Sequence, residues 1–536
     1  MHRTTGSASW WSGWRQAVAL VVVTLAVFAP TLSAEFVYDS RLQILTDPFL
    51  HDMRNWWPVL TWSTLRMDVL DFNRPVNLAS LMLDAACWGK RPFGYHLSSL
   101  LLHAANVVCT WALIRRLADD RSGGVSAATA ATGDRTATPQ VSAPLLGALL
   151  FALHPIVVEA VCEPSYREDL LVALFTIAAL LAAAGHVPPN RDLRRVGACT
   201  ACALGAIGSK ESGIAVPLAI AALWWARGRG DRGRFWGVAT AATTLAVVGF
   251  LIARFVLEPT PSAIFESRPQ YPGGSLRTAL TLEPRILALY AQLVAWPANL
   301  SADYGVYSLR HLPLPLALTV VAIVIAVGAM AIRRDRRMAV AAALVAAPLL
   351  SVANLVPIYR PAADRYLYLP MAGVGLAFGL AIGASSAARD GARSRVNVTL
   401  IAIVLGLLTA ATVARQGVWR DSLALWSDTL RKNPASRNAA LGLAEALRDA
   451  RRLPEAEAAC RRAVELSQAT DADTWAVMAL ILVDQGRTRE AFAALDKALD
   501  RNPKLRDPDS RVAAKAMEIP FAEDLKALLA LRRAAP

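Results

Sequence analysis

The chain has 536 residues, of which 55% are hydrophobic and only 18% are charged, and its mean hydropathy is +0.37. Soluble domains carry more charge, so this composition excludes an ordinary soluble protein and predicts a membrane protein with a more polar region attached. The net charge of +14 does not indicate nucleic-acid binding, because the arginines form short runs between apolar segments. That pattern is the positive-inside rule of membrane proteins.

Eleven apolar segments are predicted to cross the membrane as helices. They cover residues 17–34, 95–114, 143–162, 169–186, 196–208, 213–226, 235–257, 313–332, 338–357, 366–384 and 397–414. Segments 196–208 and 213–226 are short, and the charges of Lys210 and Glu211 between them predict two helices that meet near one surface. A further apolar segment, 285–299, is only about 15 residues long and is predicted to be interfacial or re-entrant.

The predicted orientation of the chain in the membrane follows from the positions of the loop arginines. With the N-terminus in the cytoplasm, most loop arginines fall inside, together with a Ser/Thr/Gly/Ala-rich flexible loop at 118–142. The C-terminus and the remaining loops then lie outside; these loops contain residues 35–94, 159–168, 209–212, 258–312 and 358–365. High Ala and Arg usage suggests a bacterial source, which would make the membrane the inner membrane and the outside the periplasm.

Two domains are predicted from the change in character after Arg415. Residues 1–415 form the transmembrane domain, whose external loop 35–94 is rich in tryptophan and is expected to hold interfacial helices. Residues 419–536 are polar and have helical periodicity. Ala456 and Ala491 stand at matching positions 35 residues apart, close to the period of tetratricopeptide repeats. We therefore predict a short periplasmic tetratricopeptide-repeat domain.

A carboxylate at the membrane surface marks the first candidate for catalysis. Asp39 follows the first apolar segment at once, and ionisable groups at such positions are costly and usually functional. It is a candidate general base, although a helix N-cap or a solvated interfacial acid would give the same pattern.

Several Lys and Arg residues lie at the predicted external ends of membrane spans, where the positive-inside rule does not expect them, so their presence there suggests a function. Arg74, Arg167, Lys210 and Arg365 hold such positions, and guanidinium groups bind phosphate in bidentate fashion. Structural ion pairs, such as Arg167 with Asp169 or Lys210 with Glu211, are the alternative reading of the same residues.

Polar groups within the predicted spans are the last candidates. His96, His103 and His154 lie in spans, and Glu159 lies near the external end of the third span. A zinc signature such as H-E-x-x-H is absent, so no metal site is predicted. We expect His154, Pro155 and Glu159 to form a hydrogen-bonded kink, with His96, His154 and Glu159 as polar groups of a cavity.

Five motifs together resemble those of the transmembrane and tetratricopeptide-repeat family (TMTC-type proteins). They are RPVNLASLMLDAACWGKRPFGYHLSSLLLHAANVV (74–108), LLFALHPIVVEAVCEPSYREDLLVALF (149–175), SKESGIAVP (209–217), ANLSADY (298–304) and ADRYLYLP (363–370). The resemblance implies an all-α, polytopic membrane domain of GT-C type followed by the repeats. It also implies transfer of a sugar, typically mannose, from a polyprenyl-phosphate carrier such as undecaprenyl phosphate to an acceptor hydroxyl on protein.

The resemblance also implies roles for residues. Asp39 stands where the family has an acidic pair, but the second acid is replaced here by Ser40, which leaves Asp39 to act alone as the base. Residues expected to bind the donor phosphate or sugar are Arg74, Arg167, Asp169, Lys210, Glu211, Arg365 and Tyr366. A divalent cation is compatible with this chemistry and is not required by it, and the repeats would bind the acceptor protein or peptide.

Two other functions, a membrane scaffold and a transporter, are alternative readings of the same features. A non-catalytic scaffold anchored in the membrane would need the repeats but would not depend on Asp39 or Arg365. A transporter would show inverted internal repeats and ionisable groups at the midplane of the membrane, whereas the candidate residues here crowd one surface. We therefore predict a membrane glycosyltransferase, with the scaffold as the alternative.

Overall fold

The computed structural model describes residues 6–67, 69–122, 142–185, 189–227, 233–257, 271–305, 309–386, 391–468, 470–506 and 522–534. Every regular element within these ranges is a helix, which confirms the predicted all-α class. Most of the predicted flexible loop 118–142 lies outside the described residues.

The first 418 residues contain fifteen of the described α-helices. They are α1 (Gly6–Phe28), α2 (Trp56–Leu60), α3 (Pro75–Trp88), α4 (Pro92–Ser122), α5 (Ala143–Leu153), α6 (Val158–Cys162), α7 (Arg167–Ala184), α8 (Asp192–Ser209), α9 (Ala215–Arg227), α10 (Gly233–Leu257), α11 (Leu276–Ala295), α12 (Leu314–Arg334), α13 (Met338–Leu350), α14 (Tyr368–Ser386) and α15 (Gly391–Val418).

Among the described residues, six helical segments are long and apolar enough to cross a bilayer, so the chain is an integral membrane protein. They are Gly13–Ser33, Pro92–Asp119, Gly233–Leu257, Leu314–Arg334, Asp364–Ala384 and Thr399–Val418. A seventh candidate is the pair formed by α5 and the segment Pro155–Cys162, which meet at an angle of 49°. The kink expected at His154 and Pro155 is therefore present.

The four other predicted spans correspond to α7, α8, α9 and α13, which are shorter or more polar. α9 and α13 have 13 residues each, and at a rise of 1.5 Å per residue they reach only about 20 Å. The hydrocarbon core is about 30 Å thick. The count of eleven crossings, and the topology built on it, therefore stay predictions.

Close packing of α5 against α14 places two glycines in backbone contact. A Cβ atom on Gly147 would meet the carbonyl oxygen of Gly375, and a Cβ on Gly375 would meet the carbonyl oxygen of Gly147. Small residues allow such approach between membrane helices, where packing rather than a hydrophobic driving force holds the helices together. α14 begins just after Arg365, so α5 packs against the helix that follows that residue.

The predicted external loop 35–94 forms a compact cap with its own apolar cluster. Phe36, Ile44, Phe49, Leu81 and Tyr95 are buried together there. The Trp57 side chain is 73% exposed on the short helix α2, which fits the tryptophan-bearing surface expected of this loop.

The polar C-terminal part is a series of paired helices. They are α16 (Ser422–Lys432), α17 (Arg437–Asp449), α18 (Leu453–Leu466), α19 (Ala472–Asp484), α20 (Thr488–Arg501) and α21 (Ala522–Ala534). Ala456 and Ala491 are each the fourth residue of their helix, α18 and α20, and both are fully buried. This equivalence agrees with the predicted repeat period, and the tetratricopeptide assignment and the domain limits stay predictions.

The first helices of this C-terminal part share the apolar core of the membrane region. Trp419, Leu425, Trp426, Ala439 and Ala446 belong to the same buried cluster as the helices of the first 418 residues. α16 and part of α17 are therefore packed against the membrane region.

Replacing Gly375 by alanine should destabilise the protein by about 1–3 kcal/mol, because the added methyl group would push α14 away from α5. The measurement is the thermal unfolding of the purified protein in detergent. Gly406→Ala is the matched control, since Gly406 also lies within an apolar helix and its Cβ would meet no atom within 4 Å. Equal unfolding temperatures for the two variants would contradict the close contact.

Candidate functional site

Asp39 lies in a tight turn just after α1. The preceding residue, Tyr38, has a φ of +52°, a left-handed conformation that is uncommon for residues other than glycine. The carboxylate of Asp39 accepts a hydrogen bond of 2.8 Å from the hydroxyl group of Tyr166. Such strained backbone is concentrated at functional sites, so the turn and Tyr166 together hold this carboxylate in place.

Tyr166 connects Asp39 to Arg365. The guanidinium carbon of Arg365 lies 3.9 Å from the centre of the Tyr166 ring, a cation–π contact. Arg365 also forms an ion pair of 2.5 Å with Glu159, whose other oxygen accepts the backbone N–H of Asp364 at 3.0 Å. The structure thus brings Asp39, Glu159 and Arg365 together through Tyr166, a residue that the sequence did not single out although it lies within the motif SYRED.

Tyr366 extends this row to Lys210. The ring centre of Tyr366 lies 5.0 Å from the Arg365 guanidinium carbon and 5.3 Å from the Lys210 amine. A small, narrow cavity lies here. Its lining residues are Asp169, Val172, Lys210, Ser212, Pro348, Val352, Tyr366 and Leu369. We call it the Lys210 cavity.

Lys210 is neutralised by two carboxylates. Its amine lies 2.6 Å from Asp169 and 3.0 Å from Glu168. Burial alone would lower the pKa of Lys210, but these two carboxylates raise it above its ordinary value. Lys210 is therefore a permanent cation at the edge of the cavity.

Two arginines join the same network from other helices. Arg74 lies 2.5 Å from Glu168 and 3.4 Å from Glu211, and Arg254 lies 2.8 Å from Glu211. Burial by itself would raise the pKa of Glu211, yet these two arginines lower it to about 2. Four of the predicted donor-binding residues, Arg74, Asp169, Lys210 and Glu211, thus form one charged cluster beside the Lys210 cavity.

Arg167 does not join this cluster. Its side chain is wholly buried and contacts Asp84 at 2.5 Å, the backbone oxygen of Tyr95 at 2.9 Å and Ser80 at 3.2 Å, all on α3 and α4. The ion pairs also differ from those suggested by the sequence, because Arg167 pairs with Asp84 and Lys210 pairs with Asp169 and Glu168. Arg167 therefore anchors α7 to the cap.

His154 and His96 are buried, and the structure shows their contacts. His154 lies at the break between α5 and the following turn, where its ring accepts the backbone N–H of Ile156 and contacts the oxygen of Val294 at 3.1 Å. The His96 ring stacks near Phe36 at 6.4 Å. Within the described ranges no group of three His, Cys, Asp or Glu side chains could hold a metal ion.

A larger cleft opens beside Asp39. Its lining residues are Tyr38, Asp39, Arg41, Leu42, Arg360, Ser422, Trp426, Arg437, Asn438, Leu441, Gly442, Glu445 and Ala446. We call it the Asp39 cleft. One wall is the turn that carries Asp39, and the opposite wall is formed by α16 and α17.

Three guanidinium groups line the Asp39 cleft, and each is held by a carboxylate. Arg41 pairs with Asp449 at 2.6 Å, Arg437 with Asp471 at 3.3 Å, and Arg360 with Asp303 at 3.6 Å. None of these arginines was a candidate in the sequence. They lie far apart in the sequence, one in the loop after α1, one before α14 and one on α17, so no local sequence pattern indicated that they would meet.

The comparisons with known proteins agree with the motifs. No family model matches the chain. Protein O-mannosyl-transferase F38B6.6 of Caenorhabditis elegans is 24% identical over 460 residues, which are 82% of this chain and 60% of that protein. Protein O-mannosyl-transferase TMTC2 of Mus musculus is 31% identical over 216 residues, 37% of this chain and 22% of the relative.

A third relative and one solved structure complete the comparison. Protein O-mannosyl-transferase Tmtc1 of Drosophila melanogaster is 27% identical over 320 residues, 54% of this chain and 34% of that protein. The crystal structure of ArnT from Cupriavidus metallidurans bound to undecaprenyl phosphate aligns with 97% of this chain and 78% of its own, at a TM-score of 0.41 and 13% identity. The resemblance inferred from the five motifs is confirmed by the relatives' names, and the chain spans less than two thirds of these relatives' length.

Replacing Asp84 by asparagine should cost about 3–5 kcal/mol, because it leaves the buried cation of Arg167 without its counterion. The measurement is the yield and thermal unfolding of the variant in detergent. Glu455→Gln is the control, since it removes an exposed ion pair with Arg452 and should leave the unfolding temperature unchanged. An Asp84→Asn variant as stable as the wild type would free Arg167 for a role in binding.

Proposed function

We propose that this protein is a membrane glycosyltransferase that moves a sugar, mannose, from a polyprenyl-phosphate donor to an acceptor hydroxyl group on protein. The observation that carries the proposal is the arrangement around Tyr166. Asp39 lines the Asp39 cleft and bonds to Tyr166, while Arg365 contacts both Tyr166 and Tyr366, and Tyr366 lines the Lys210 cavity. The names of the relatives support the same class of reaction.

In this reaction Asp39 is the general base. An acceptor hydroxyl in the Asp39 cleft attacks the anomeric carbon of the donor sugar, and its proton passes to the carboxylate of Asp39. The bond between the anomeric carbon and the phosphate oxygen breaks, and polyprenyl phosphate leaves. The carbon is oxocarbenium-like in the transition state, as in glycoside hydrolysis.

The cations on the other side of Tyr166 balance the charge of the leaving group. The phosphate gains one negative charge when the glycosidic bond breaks, so fixed cations next to it lower the barrier. Arg365 and Lys210 are the groups assigned to this contact, and Arg74 stabilises the carboxylates around them. Tyr366 offers an aromatic face to the sugar. No step is assigned to a metal ion.

The reaction is assigned to the external face, which is the periplasm in a bacterium. The support is the distribution of arginines, which puts the loops that carry Asp39, Lys210 and Arg365 on the side opposite the arginine-rich loops. On that face the C-terminal helices can bind an acceptor polypeptide, because stacked helix pairs form extended concave surfaces. The Asp39 cleft would receive the acceptor where α16 and α17 meet the membrane region.

Asp39→Asn should lower the rate of transfer by about 10²–10⁴-fold, because an amide cannot accept the proton of the acceptor. The assay uses the purified protein, labelled undecaprenyl-phosphate mannose and a Ser/Thr-containing peptide. Asp52→Asn is the control: Asp52 lies in the same loop and forms only a local, exposed pair with Arg54. Full activity of Asp39→Asn would contradict the base role, and indifference to both Asp39 and Arg365 substitution would favour the scaffold.

Arg437→Gln should raise the KM for the acceptor peptide by about tenfold and leave kcat nearly unchanged, since it changes one wall of the cleft and not the reacting groups. The matched control is Arg461→Gln on α18, an exposed arginine paired with Glu457 and outside the cleft. A fall in kcat with an unchanged KM would show that the cleft does not bind the acceptor.

A further inference from the structure

A buried carboxyl group that the sequence did not single out contacts the residue next to Asp39. Glu163 Oε1 accepts the backbone N–H of Ser40 at 2.9 Å and the Ser165 hydroxyl at 2.7 Å. The Ser40 hydroxyl donates a further hydrogen bond to the same oxygen. In turn, the backbone N–H of Ser165 donates to the Ser40 hydroxyl oxygen at 3.3 Å. Both Ser40 and Glu163 are fully buried.

The second oxygen of Glu163 is also buried, and it has no hydrogen-bond partner among the described residues. Burial raises the pKa of Glu163 to about 8, although the hydrogen bonds from Ser40 and Ser165 act in the opposite direction, and the Asp39 carboxylate raises it further. Glu163 therefore carries a proton at neutral pH. A neutral group can lie next to Asp39 without the repulsion that a second carboxylate would bring.

These contacts form a second link between two chain segments that Asp39 already joins. Residues 38–40 and 163–166 are held together by the pair Asp39–Tyr166 and by the pair Ser40–Glu163. The pair of acids implied by the family motif is absent at position 40, where this chain has serine. The carboxyl group of Glu163 lies within hydrogen-bond distance of that serine, although it comes from a segment more than 120 residues away.

We propose that Glu163 is a positioning residue that supplies, from the segment after α6, the second carboxyl group missing at Ser40 and so fixes the turn that carries Asp39. A displacement of about 1 Å at a reacting group can cost about 100-fold in rate, so a rigid turn matters for a base. The effect on rate rests on the proposed function, whereas the effect on the turn does not.

The first test measures the turn without any activity. Hydrogen–deuterium exchange of a peptide covering residues 36–44 should be faster in Glu163→Ala than in the wild type, because the Ser40 amide loses the closer of its two acceptors and keeps only the backbone oxygen of Val37 at 3.2 Å. Glu163→Gln keeps an oxygen at the same place and should keep the wild-type exchange. Equal exchange in Glu163→Ala and the wild type would overturn the proposal, whatever the protein transfers.

The second test exchanges the two residues. Ser40→Asp alone should lower kcat by about 100-fold, because the longer acidic side chain is forced against Glu163 and Asp39 in a filled site. Combining Ser40→Asp with Glu163→Ser should restore most of kcat, since a carboxyl group and a hydroxyl group again face each other. The assay is the transfer of labelled mannose from undecaprenyl phosphate to the peptide.

The outcomes separate the two proposals. A double variant no better than Ser40→Asp alone would overturn the positioning role. A wild type that transfers no mannose would contradict the proposed function, and the exchange measurement would then still decide whether Glu163 fixes the turn.

Discussion

The ion pair between Arg365 and Glu159 is the interaction on which the rest of the site depends. Glu159 binds the guanidinium group with one oxygen and the backbone N–H of Asp364 with the other, so one buried carboxylate fixes both the side chain and the backbone of the segment before α14. Breaking a buried pair typically costs about 3–5 kcal/mol, because the remaining charge has no counterion. The bend at His154 is what turns Glu159 toward this segment.

A second buried network ties the C-terminal helices to the same segment. Arg415, at the end of α15, lies 3.0 Å from Asp428 on α16 and 3.6 Å from Asp364. Asp428 also contacts Lys432, whose amine donates to the backbone oxygen of Leu300. Since Asp364 precedes Arg365, these contacts connect α16 to the segment that carries Arg365. The C-terminal helices therefore belong to the site as a structural element, and not only as a surface for partners.

The sequence predicted those residues of this site whose charge is costly to place beside apolar segments. Asp39, Glu159, Lys210 and Arg365 are charges at or near the ends of apolar segments, so their positions marked them, and the helical class followed from hydrophobic periodicity. Tyr166, Glu163 and the arginines of the cleft could not be found in this way, because their roles come from contacts between segments that are distant in the sequence. The partner of Arg167 was not predicted either: its charge suggested phosphate binding or a pair with Asp169, whereas α3 supplies a buried partner in Asp84.

The number of carboxylates that already pair with each cation also decides which cation is better able to bind a phosphate. Lys210 is already held by Asp169 and Glu168, so an incoming phosphate must compete there with two carboxylates. Arg365 pairs with Glu159 through a single Nη atom, and its guanidinium carbon lies 3.9 Å from the Tyr166 ring centre and 5.0 Å from that of Tyr366. A guanidinium group presents five donors in a rigid fork, so it can keep Glu159 and still offer donors to a second anion. In the proposed reaction Arg365 is thus the primary phosphate contact, and the cluster around Lys210 supplies the surrounding positive potential.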